Sequence, residues 1–143
     1  MSEIWLDSVY TESEMLDVRV QGLWAFNVGK TNGMISKPGD TVGFVLRNDA
    51  GEVVGGMECS TYLMSMEIDV LWVSDACIGK GYGHLLVREA ERRARELDCL
   101  MMHVTTYSFQ APDFYQRQGF TVYGTLDGFP DGIRLYHLKK VLA

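Results

Sequence analysis

The residues that most clearly suggest a binding function form a glycine-rich turn, Gly79-Lys-Gly-Tyr-Gly83. The turn lies between an apolar run and a segment whose apolar residues have helical spacing. Glycine lets the backbone approach a ligand, and the first amide groups of a helix point outward with the positive end of its dipole. This arrangement is typical of phosphate binding. Two nucleotide-binding classes fit poorly: no Gly-x-x-x-x-Gly-Lys-Ser/Thr string is present, and the pattern Gly-x-Gly-x-x-Gly/Ala fails at Leu86.

An acidic pair, Glu67 and Asp69, lies in the apolar run Met66–Val73. Side chains alternate along a strand, so we expect both carboxylates on one face. Burial and mutual repulsion would make one of them a better proton acceptor, as a general base requires. The alternative is that both simply face solvent on a half-covered sheet.

Apolar periodicity and turn signals predict the elements that position these residues. Ile4–Tyr10 is expected to be a short strand, and a capping box beginning at Thr11 starts a helix that runs to about Val28. A hairpin and a third strand follow, then alternating helices and strands that make a mixed α/β (α+β) fold. The expected elements are strands over 41–47, 52–59 and 62–73, a helix over 82–97, a strand over 100–106, a helix over 111–118 and strands over 120–126 and 133–142.

Composition narrows the possible functions. The net charge of −6 on 143 residues argues against a nucleic-acid module, because binding phosphates through side chains needs an excess of Lys and Arg. Three widely spaced cysteines form neither a disulfide framework nor a zinc motif, so we expect a reducing compartment and no metal. The first residues lack a signal-peptide pattern and no apolar run reaches membrane-span length. We therefore expect a single cytoplasmic domain that does not bind membranes.

Two motifs point to a known family. The run Ile78-Gly-Lys-Gly-Tyr-Gly83 resembles the coenzyme A pyrophosphate motif of the GNAT N-acetyltransferase superfamily, Gln/Arg-x-x-Gly-x-Gly/Ala, with Ile78 at the place where Gln or Arg is usual. About 30 residues later, Phe114-Tyr-Gln-Arg-Gln-Gly-Phe120 resembles the family's aromatic-Tyr-x-x-x-Gly-Phe segment. The order of elements also resembles the GNAT fold over nearly the whole chain. The resemblance implies one domain over 1–143, with a mixed central sheet of about seven strands flanked by about four helices.

The resemblance implies that acetyl-CoA is the acyl donor. The backbone of the Leu71–Val73 segment would follow the pantetheine chain, and the glycine turn would hold the pyrophosphate. The residues expected to bind the donor are Leu71, Trp72, Val73, Ile78, Gly79, Lys80, Gly81, Tyr82, Gly83, His84, Ser108, Ala111, Phe114 and Tyr115.

Transfer of an acetyl group to an amine needs a base and an acid. A primary amine is mostly protonated at pH 7 and must lose a proton before it attacks, while the thiolate leaving group gains one. The resemblance places the base on the fourth expected strand, at Glu67, with Asp69 or water as alternatives. It makes Tyr115 the general acid, although this residue could be only a core aromatic. A backbone N–H near Leu71–Val73 would stabilise the oxyanion.

The acceptor is expected on the side opposite coenzyme A. The residues implied there are Trp24, Phe26 and Asn27 of the first helix and Asp127, Phe129 and Asp131 of the last turn. Carboxylates beside aromatic rings suit a small cationic amine, although turn aspartates are often there for turn geometry. Alternatives are a protein lysine or N-terminal amine as acceptor, another acyl donor, a non-catalytic acyl-CoA-binding module, or an interaction subunit that forms a homodimer.

Overall fold

The computed structural model describes residues 2–35 and 39–142, and the chain divides into two compact units, residues 1–38 and 39–143. The first unit is helical: α1 (Glu12–Asp17), a π-helical stretch (Val18–Trp24) and α2 (Ala25–Lys30) follow one another without a break. The Thr11 hydroxyl accepts a hydrogen bond from the Glu14 N–H, and the Glu14 carboxylate accepts one from the Thr11 N–H. These bonds satisfy amides at the helix start, so the capping box and the helix that it predicts are confirmed.

The expected strand Ile4–Tyr10 is wrong, because no strand is assigned within residues 2–10. Asp7 instead accepts a hydrogen bond from the Val9 N–H at 3.0 Å, a local turn that competes with pairing to another strand. The sheet of the described residues therefore has six strands rather than about seven.

The second unit is built on that six-stranded mixed sheet, whose strand order is β1-β2-β3-β4-β6-β5. The predicted hairpin around residues 48–51 is confirmed. The third strand starts at Ser65 rather than at Tyr62, because Leu63 and Met64 turn the chain with φ of 50° and 57°. The strands are β1 (Thr41–Arg47), β2 (Val53–Tyr62), β3 (Ser65–Val73), β4 (Met101–Tyr107), β5 (Thr121–Leu126) and β6 (Leu135–Val141).

Two helices of the second unit contribute to the core that lies on one face of the sheet. Helix α3 spans Tyr82–Glu96 and buries Leu86, Val87, Ala90 and Ala94, and helix α4 spans Pro112–Arg117 and buries Tyr115. The core joins these side chains to the inward-facing residues of the strands, which include Met57, Cys59, Met66, Ile68, Met102, Val104 and Leu138.

Strands β3 and β4 separate part-way along their length. Their parallel pairing covers only 65–68 against 101–104, and Ile68–Val104 is the last pair. Beyond it β3 continues to Val73 and β4 to Tyr107, so backbone groups of each strand that point towards the other have no ladder partner there. The fold thus opens a gap in the sheet whose edges are backbone.

No helix within residues 2–35 and 39–142 is both long enough and apolar enough to cross a membrane.

Candidate active site

The glycine turn leads into helix α3 through two residues in the left-handed region. Gly79 has φ +80° and Gly81 has φ +84°, conformations that residues with a Cβ rarely adopt, and a Cβ at either position would meet no atom within 4 Å. Gly81 is the N-cap, and its carbonyl accepts the Leu85 N–H at 3.0 Å. The amides of the first three helical residues, 82–84, have no acceptor within the helix. The turn therefore presents open space in front of free N–H groups.

Gly83 is required for packing rather than for its backbone angles. A Cβ there would lie 3.0 Å from Cε1 and 3.1 Å from Cζ of Phe114. The start of α3 and the aromatic segment of α4 therefore touch, and a larger residue at position 83 would push them apart. The two sequence motifs meet at this contact.

A cavity of about 620 Å³ lies at this junction. Most of the residues expected to bind the donor line it, but Trp72, Lys80, Ser108 and Tyr115 do not. The expected residues that line it are Leu71, Val73, Ile78, Gly79, Gly81, Tyr82, Gly83, His84, Ala111 and Phe114, and Cys77, Gln110, Arg117 and Gln118 were missed by sequence reasoning.

Two residues near the second motif explain part of that difference. Ser108 forms two hydrogen bonds with the backbone of Arg134. The Ser108 N–H donates to the Arg134 carbonyl, and the Ser108 hydroxyl accepts a hydrogen bond from the Arg134 N–H. Gln110 instead lines the cavity, and its side-chain oxygen accepts the Tyr107 N–H at 2.8 Å. No motif carries Gln110, and Arg117 and Gln118 stand at the variable positions of the aromatic-Tyr-x-x-x-Gly-Phe segment, so only the fold reveals that these residues line the cavity.

Tyr115 lies in the core, 6% exposed, with its ring edge-on to Phe114 and Phe120 at centroid distances of 5.2 and 5.8 Å. Burial, with a smaller contribution from the neighbouring Cys59 side chain, raises the pKa of Tyr115 to about 12. The phenol is therefore protonated throughout the neutral range and can act as a hydrogen-bond or proton donor.

A polar network ties α3, α4 and β6 together beside the cavity. The Lys140 ammonium donates to Glu91 of α3 and to the carbonyl of Gln118, both at 2.9 Å. The Gln118 side chain is in turn hydrogen-bonded to the His84 ring. Burial alone would raise the pKa of Glu91, but the hydrogen bonds from Lys140 and Arg95 outweigh it and lower that pKa. The network holds the two helix ends that frame the cavity.

The acidic pair lies where the register between β2 and β3 shifts. Glu67 is half-buried and pairs with Ser60 of β2, whereas Asp69 is exposed and has no register partner, since Ile68 pairs with Cys59 and Val70 with Glu58. Asp69 is thus the extra residue of a β-bulge, where simple alternation fails. Met66 and Ile68 are buried between and beside the two carboxylates, so the expectation that Glu67 and Asp69 share the face away from the core stays a prediction.

His103 was not among the expected site residues, yet it is the register partner of Glu67 on β4. The Glu67–His103 pair lies one step before the Ile68–Val104 pair, where the strands separate. Sequence reasoning could not find this partnership, because the two residues are 36 positions apart and only parallel pairing joins them.

The turn between β5 and β6 holds three of the expected acceptor residues. Asp127 forms an ion pair with Arg134 at 2.8 Å, so its charge is compensated. Phe129 packs edge-on against Tyr107, at the end of β4, with centroids 5.5 Å apart. Asp131 lies in a short 3₁₀ turn with φ 56°, and no ion pair of its carboxylate occurs within the described residues. These groups gather beyond the separation of β3 and β4.

Phe109 extends that aromatic group. Its ring stacks on Tyr107 with centroids 5.5 Å apart and planes 7° from parallel, and it is 67% exposed. Neither residue was expected from the sequence. The remaining expected acceptor residues, Trp24, Phe26 and Asn27, lie in the helical first unit and stay a prediction.

Comparison with known proteins decides the family. The sequence profile of the Acetyltransferase (GNAT) family matches residues 4–120. The chain belongs to this family. It is 34% identical over 114 residues to the blasticidin-S acetyltransferase of Streptomyces morookaense, covering 79% of this chain and 84% of that one. It is an acetyl-CoA-dependent N-acetyltransferase.

Solved structures agree with this assignment. An acetyltransferase from Bacillus cereus ATCC 14579 superposes with a TM-score of 0.82 at 27% identity, covering 96% of this chain and 98% of that one. A protein of Bacillus anthracis str. Ames solved in complex with acetyl coenzyme A shares the fold, with a TM-score of 0.64 at 17% identity over 77% of this chain and 66% of that one. The six-stranded sheet described above is therefore a GNAT fold.

The residues of the cavity fit the donor of this family. Anionic phosphates need donors without steric obstruction, and the turn offers free amides at the N-terminus of a 15-residue helix with open space before them. The separated edge of β3 offers further backbone groups for an amide-bearing chain. Acetyl-CoA therefore needs no net positive charge on this acidic protein.

Proposed function

We propose that the protein transfers the acetyl group of acetyl-CoA to the primary amine of a small cationic molecule, by direct attack while both substrates are bound. The observation that carries this proposal is the gap between β3 and β4, which starts at Ile68–Val104 and opens beside a cavity fitted to the donor. A donor in the cavity and an acceptor on the other side of the gap can meet there without a covalent enzyme intermediate.

The donor side would be held chiefly by backbone. Amides of residues 82–84 would bind the pyrophosphate, and the unpaired edge of Leu71–Val73 would bind the pantetheine and, through an N–H, the negative charge that develops on the thioester oxygen. Acetyl-CoA supplies an activated acyl carbon with a thiolate leaving group. The Ile78 side chain at the turn has no hydrogen-bond donor. The backbone amides would therefore supply the hydrogen bonds to the pyrophosphate.

Tyr115 is proposed as the general acid. Its ring is fixed by Phe114 and Phe120, and its pKa of about 12 keeps the proton on the phenol until the thiolate forms. A proton donor of this kind contributes on the order of 10²- to 10⁴-fold to a rate. Glu67 is proposed to act on the acceptor side, because it lies beside the gap, whereas Asp69 belongs to the bulge.

The acceptor class is proposed from charge and aromatic surface. The exposed ring of Phe109, the ring of Phe129 and Asp131 lie beyond the strand separation, and the Asp131 carboxylate has no ion pair within residues 2–35 and 39–142. Aromatic rings beside a carboxylate suit an ammonium group. The S. morookaense relative, named for a small-molecule acceptor, supports the same class.

A two-stage assay tests the proposal. Acetyl-CoA binding is measured by calorimetry, and the loaded protein is then incubated with a panel of small cationic amines, neutral amines, lysine peptides and free N-terminal peptides, with products identified by mass. We expect a gain of one acetyl group on small cationic amines. Binding without any acetylated product would support a non-catalytic acyl-CoA-binding module instead, and products confined to peptides would overturn the small-molecule acceptor.

A further inference from the structure

A row of polar side chains crosses the sheet next to the strand separation. Glu67 of β3 pairs with His103 of β4, and His103 pairs with Lys139 of β6. Residues in register on neighbouring strands point to the same face, so these three side chains lie side by side. The next row, Ile68, Val104 and Leu138, is buried in the core on the opposite face.

The position of this row suits chemistry on the acceptor. The cavity is lined by Leu71 and Val73, which pack against the core on the other face of the sheet. The row is therefore on the face away from the cavity and one residue from the gap that joins the two faces. His103 is half-buried. Within residues 2–35 and 39–142, its ring nitrogens form no hydrogen bond.

We propose that His103 is the base that takes the proton from the acceptor ammonium, with Glu67 as the residue that orients its ring and Lys139 as the residue that disfavours its premature protonation. This rests on the proposed function. It assigns to a histidine the step that the sequence alone assigned to Glu67.

The chemistry favours imidazole over a carboxylate. An ordinary histidine titrates near 6.5 and an ordinary glutamate near 4.3, whereas a primary amine titrates near 10.4. Proton transfer is more effective when the base is closer to the amine in proton affinity and is still unprotonated at the working pH. A base oriented by a carboxylate is the usual arrangement in nucleophilic and acid–base sites.

The protons balance as follows. Of the three N–H bonds of the ammonium, one proton passes to the neutral His103 ring and then to solvent. The freed lone pair forms the N–C bond to the acetyl carbon while the C–S bond breaks. The second proton leaves the nitrogen as the amide forms, and it replaces the proton that Tyr115 gives to the sulfur. One proton is released for each turnover.

Charged residues lie beside His103 on both strands that flank β4. Glu67 is its register partner on β3, with Asp69 in the bulge two residues on. Lys139 is its register partner on β6, and the Lys139 ammonium lies 5.9 Å from the centroid of the Tyr123 ring on β5. His137 of β6 is diagonal, because it pairs with Thr105, the next residue of β4 on that face. The carboxylates favour protonation of the His103 ring, and the Lys139 ammonium opposes it. Removing the Glu67 charge and removing the Lys139 charge should therefore shift the pH dependence of the rate in opposite directions.

The test is the pH dependence of kcat at saturating acetyl-CoA and amine between pH 5 and 10, for the wild type and three variants. We expect the rate of the wild type to fall at the acidic end of this range, and this acidic limb would mark protonation of the base. His103→Gln should lower kcat about 100-fold and abolish this limb, and imidazole added to the buffer should restore part of the rate. Glu67→Gln should move the limb to lower pH, and Lys139→Met should move it to higher pH.

His137→Gln is the matched control, since it removes the neighbouring histidine from the same face and should leave kcat within about twofold and the limb in place. A His103→Gln enzyme that keeps its limb, or loses rate with the limb unmoved, overturns the proposal. An acidic limb that Glu67→Gln abolishes and His103→Gln leaves in place overturns it in favour of Glu67.

Acetyl-CoA affinity separates this proposal from the proposed function. His103→Gln should bind acetyl-CoA as the wild type does, because His103 lies away from the cavity. In NMR, the ring resonances of His103 but not of His137 should shift when the amine is added. Failure of the wild type to acetylate any amine refutes the proposed function, and the proton transfer with it.

Discussion

The cavity at the start of α3 and the Glu67–His103–Lys139 row differ in how the chain builds them. The phosphate side of the cavity depends on contiguous residues, two glycines with positive φ and a helix N-terminus, and a later aromatic segment touches it at Gly83. The row depends on strand register, which joins residues 36 positions apart on β3 and β4 and again on β4 and β6. A backbone site can be written in a short motif, whereas a side-chain row exists only after the sheet has formed.

The largest effect is expected at the phenol of Tyr115, the proposed acid, which lies in the core between the two regions' supporting strands and helices. Tyr115→Phe should lower kcat about 100-fold or more by removing the proton donor, while the ring contacts with Phe114 and Phe120 and the affinity for acetyl-CoA stay near wild type. Because the pKa of Tyr115 is raised to about 12, its proton is lost only at very alkaline pH, so this acid should cause no fall in rate below about pH 10.

The predicted loss of rate in Tyr115→Phe can be measured as pre-steady-state release of the coenzyme A thiol with a chromogenic reagent. Phe120→Leu is a control for packing alone, because it disturbs the same core without touching the hydroxyl. A Tyr115→Phe enzyme with unchanged kcat would remove the acid role and leave Tyr115 a core residue.

The next effect concerns the cavity only. Gly81→Ala places a Cβ in the open space before the α3 amides and forces a left-handed residue, so acetyl-CoA should bind about 10- to 100-fold more weakly. Gly51→Ala is matched, because Gly51 has φ +79° and open space as well but lies in the β1–β2 turn. Both variants should lose about 1–2 kcal/mol of unfolding free energy, and only Gly81→Ala should lose affinity in calorimetry. Equal affinities in the two variants would contradict the assignment of the turn.

Much of this contrast follows from what a sequence can encode locally. The hairpin around residues 48–51 and the glycine turn are set by neighbouring residues, and both are predictable. The Ile4–Tyr10 strand is not, because strand propensity does not guarantee a pairing partner. Gln110, Arg117 and Gln118 line the cavity only because α4 packs there.

The bulge at Asp69 shows the same limit on a smaller scale. One unpaired residue changes which side chains face the core after it, and its own sequence, Ile68-Asp-Val70, carries no visible signal. The His103 partnership needs the parallel register of β3 and β4, which no pattern of single residues reveals.

A smaller effect tests whether the frame of the cavity depends on Lys140. Lys140→Met removes its bonds to Glu91 and to the Gln118 carbonyl, leaving two half-buried acceptors with fewer donors. We expect the free energy of unfolding to fall by about 1–3 kcal/mol and acetyl-CoA affinity to fall a few-fold. Urea denaturation and calorimetry measure both quantities.

Lys139→Met is the neighbouring control for stability and donor affinity, because Lys139 is exposed on the other face. It should change the unfolding free energy by less than about 0.5 kcal/mol. If the two lysine variants lose stability equally, the network does not hold the helices as described.

The smallest effect is expected at the bulge. Asp69→Asn keeps the size of the side chain and should change kcat by less than about twofold, because the exposed bulge residue is not in the row with His103. Steady-state rates beside those of Glu67→Gln measure the difference. If kcat falls as much in Asp69→Asn as in Glu67→Gln, the base is one of the two acidic residues rather than His103. The role of the Glu67–His103–Lys139 row would then be contradicted.

The most direct test of the central claim, that backbone amides at the start of α3 hold the donor, is an NMR titration of the ¹⁵N-labelled protein with acetyl-CoA. The amide protons of Tyr82, Gly83 and His84 have no acceptor within the helix, so a bound phosphate should move their resonances downfield. Amides of the Gly51 turn should not move. Saturable binding that leaves the resonances of residues 82–84 unchanged would contradict the account.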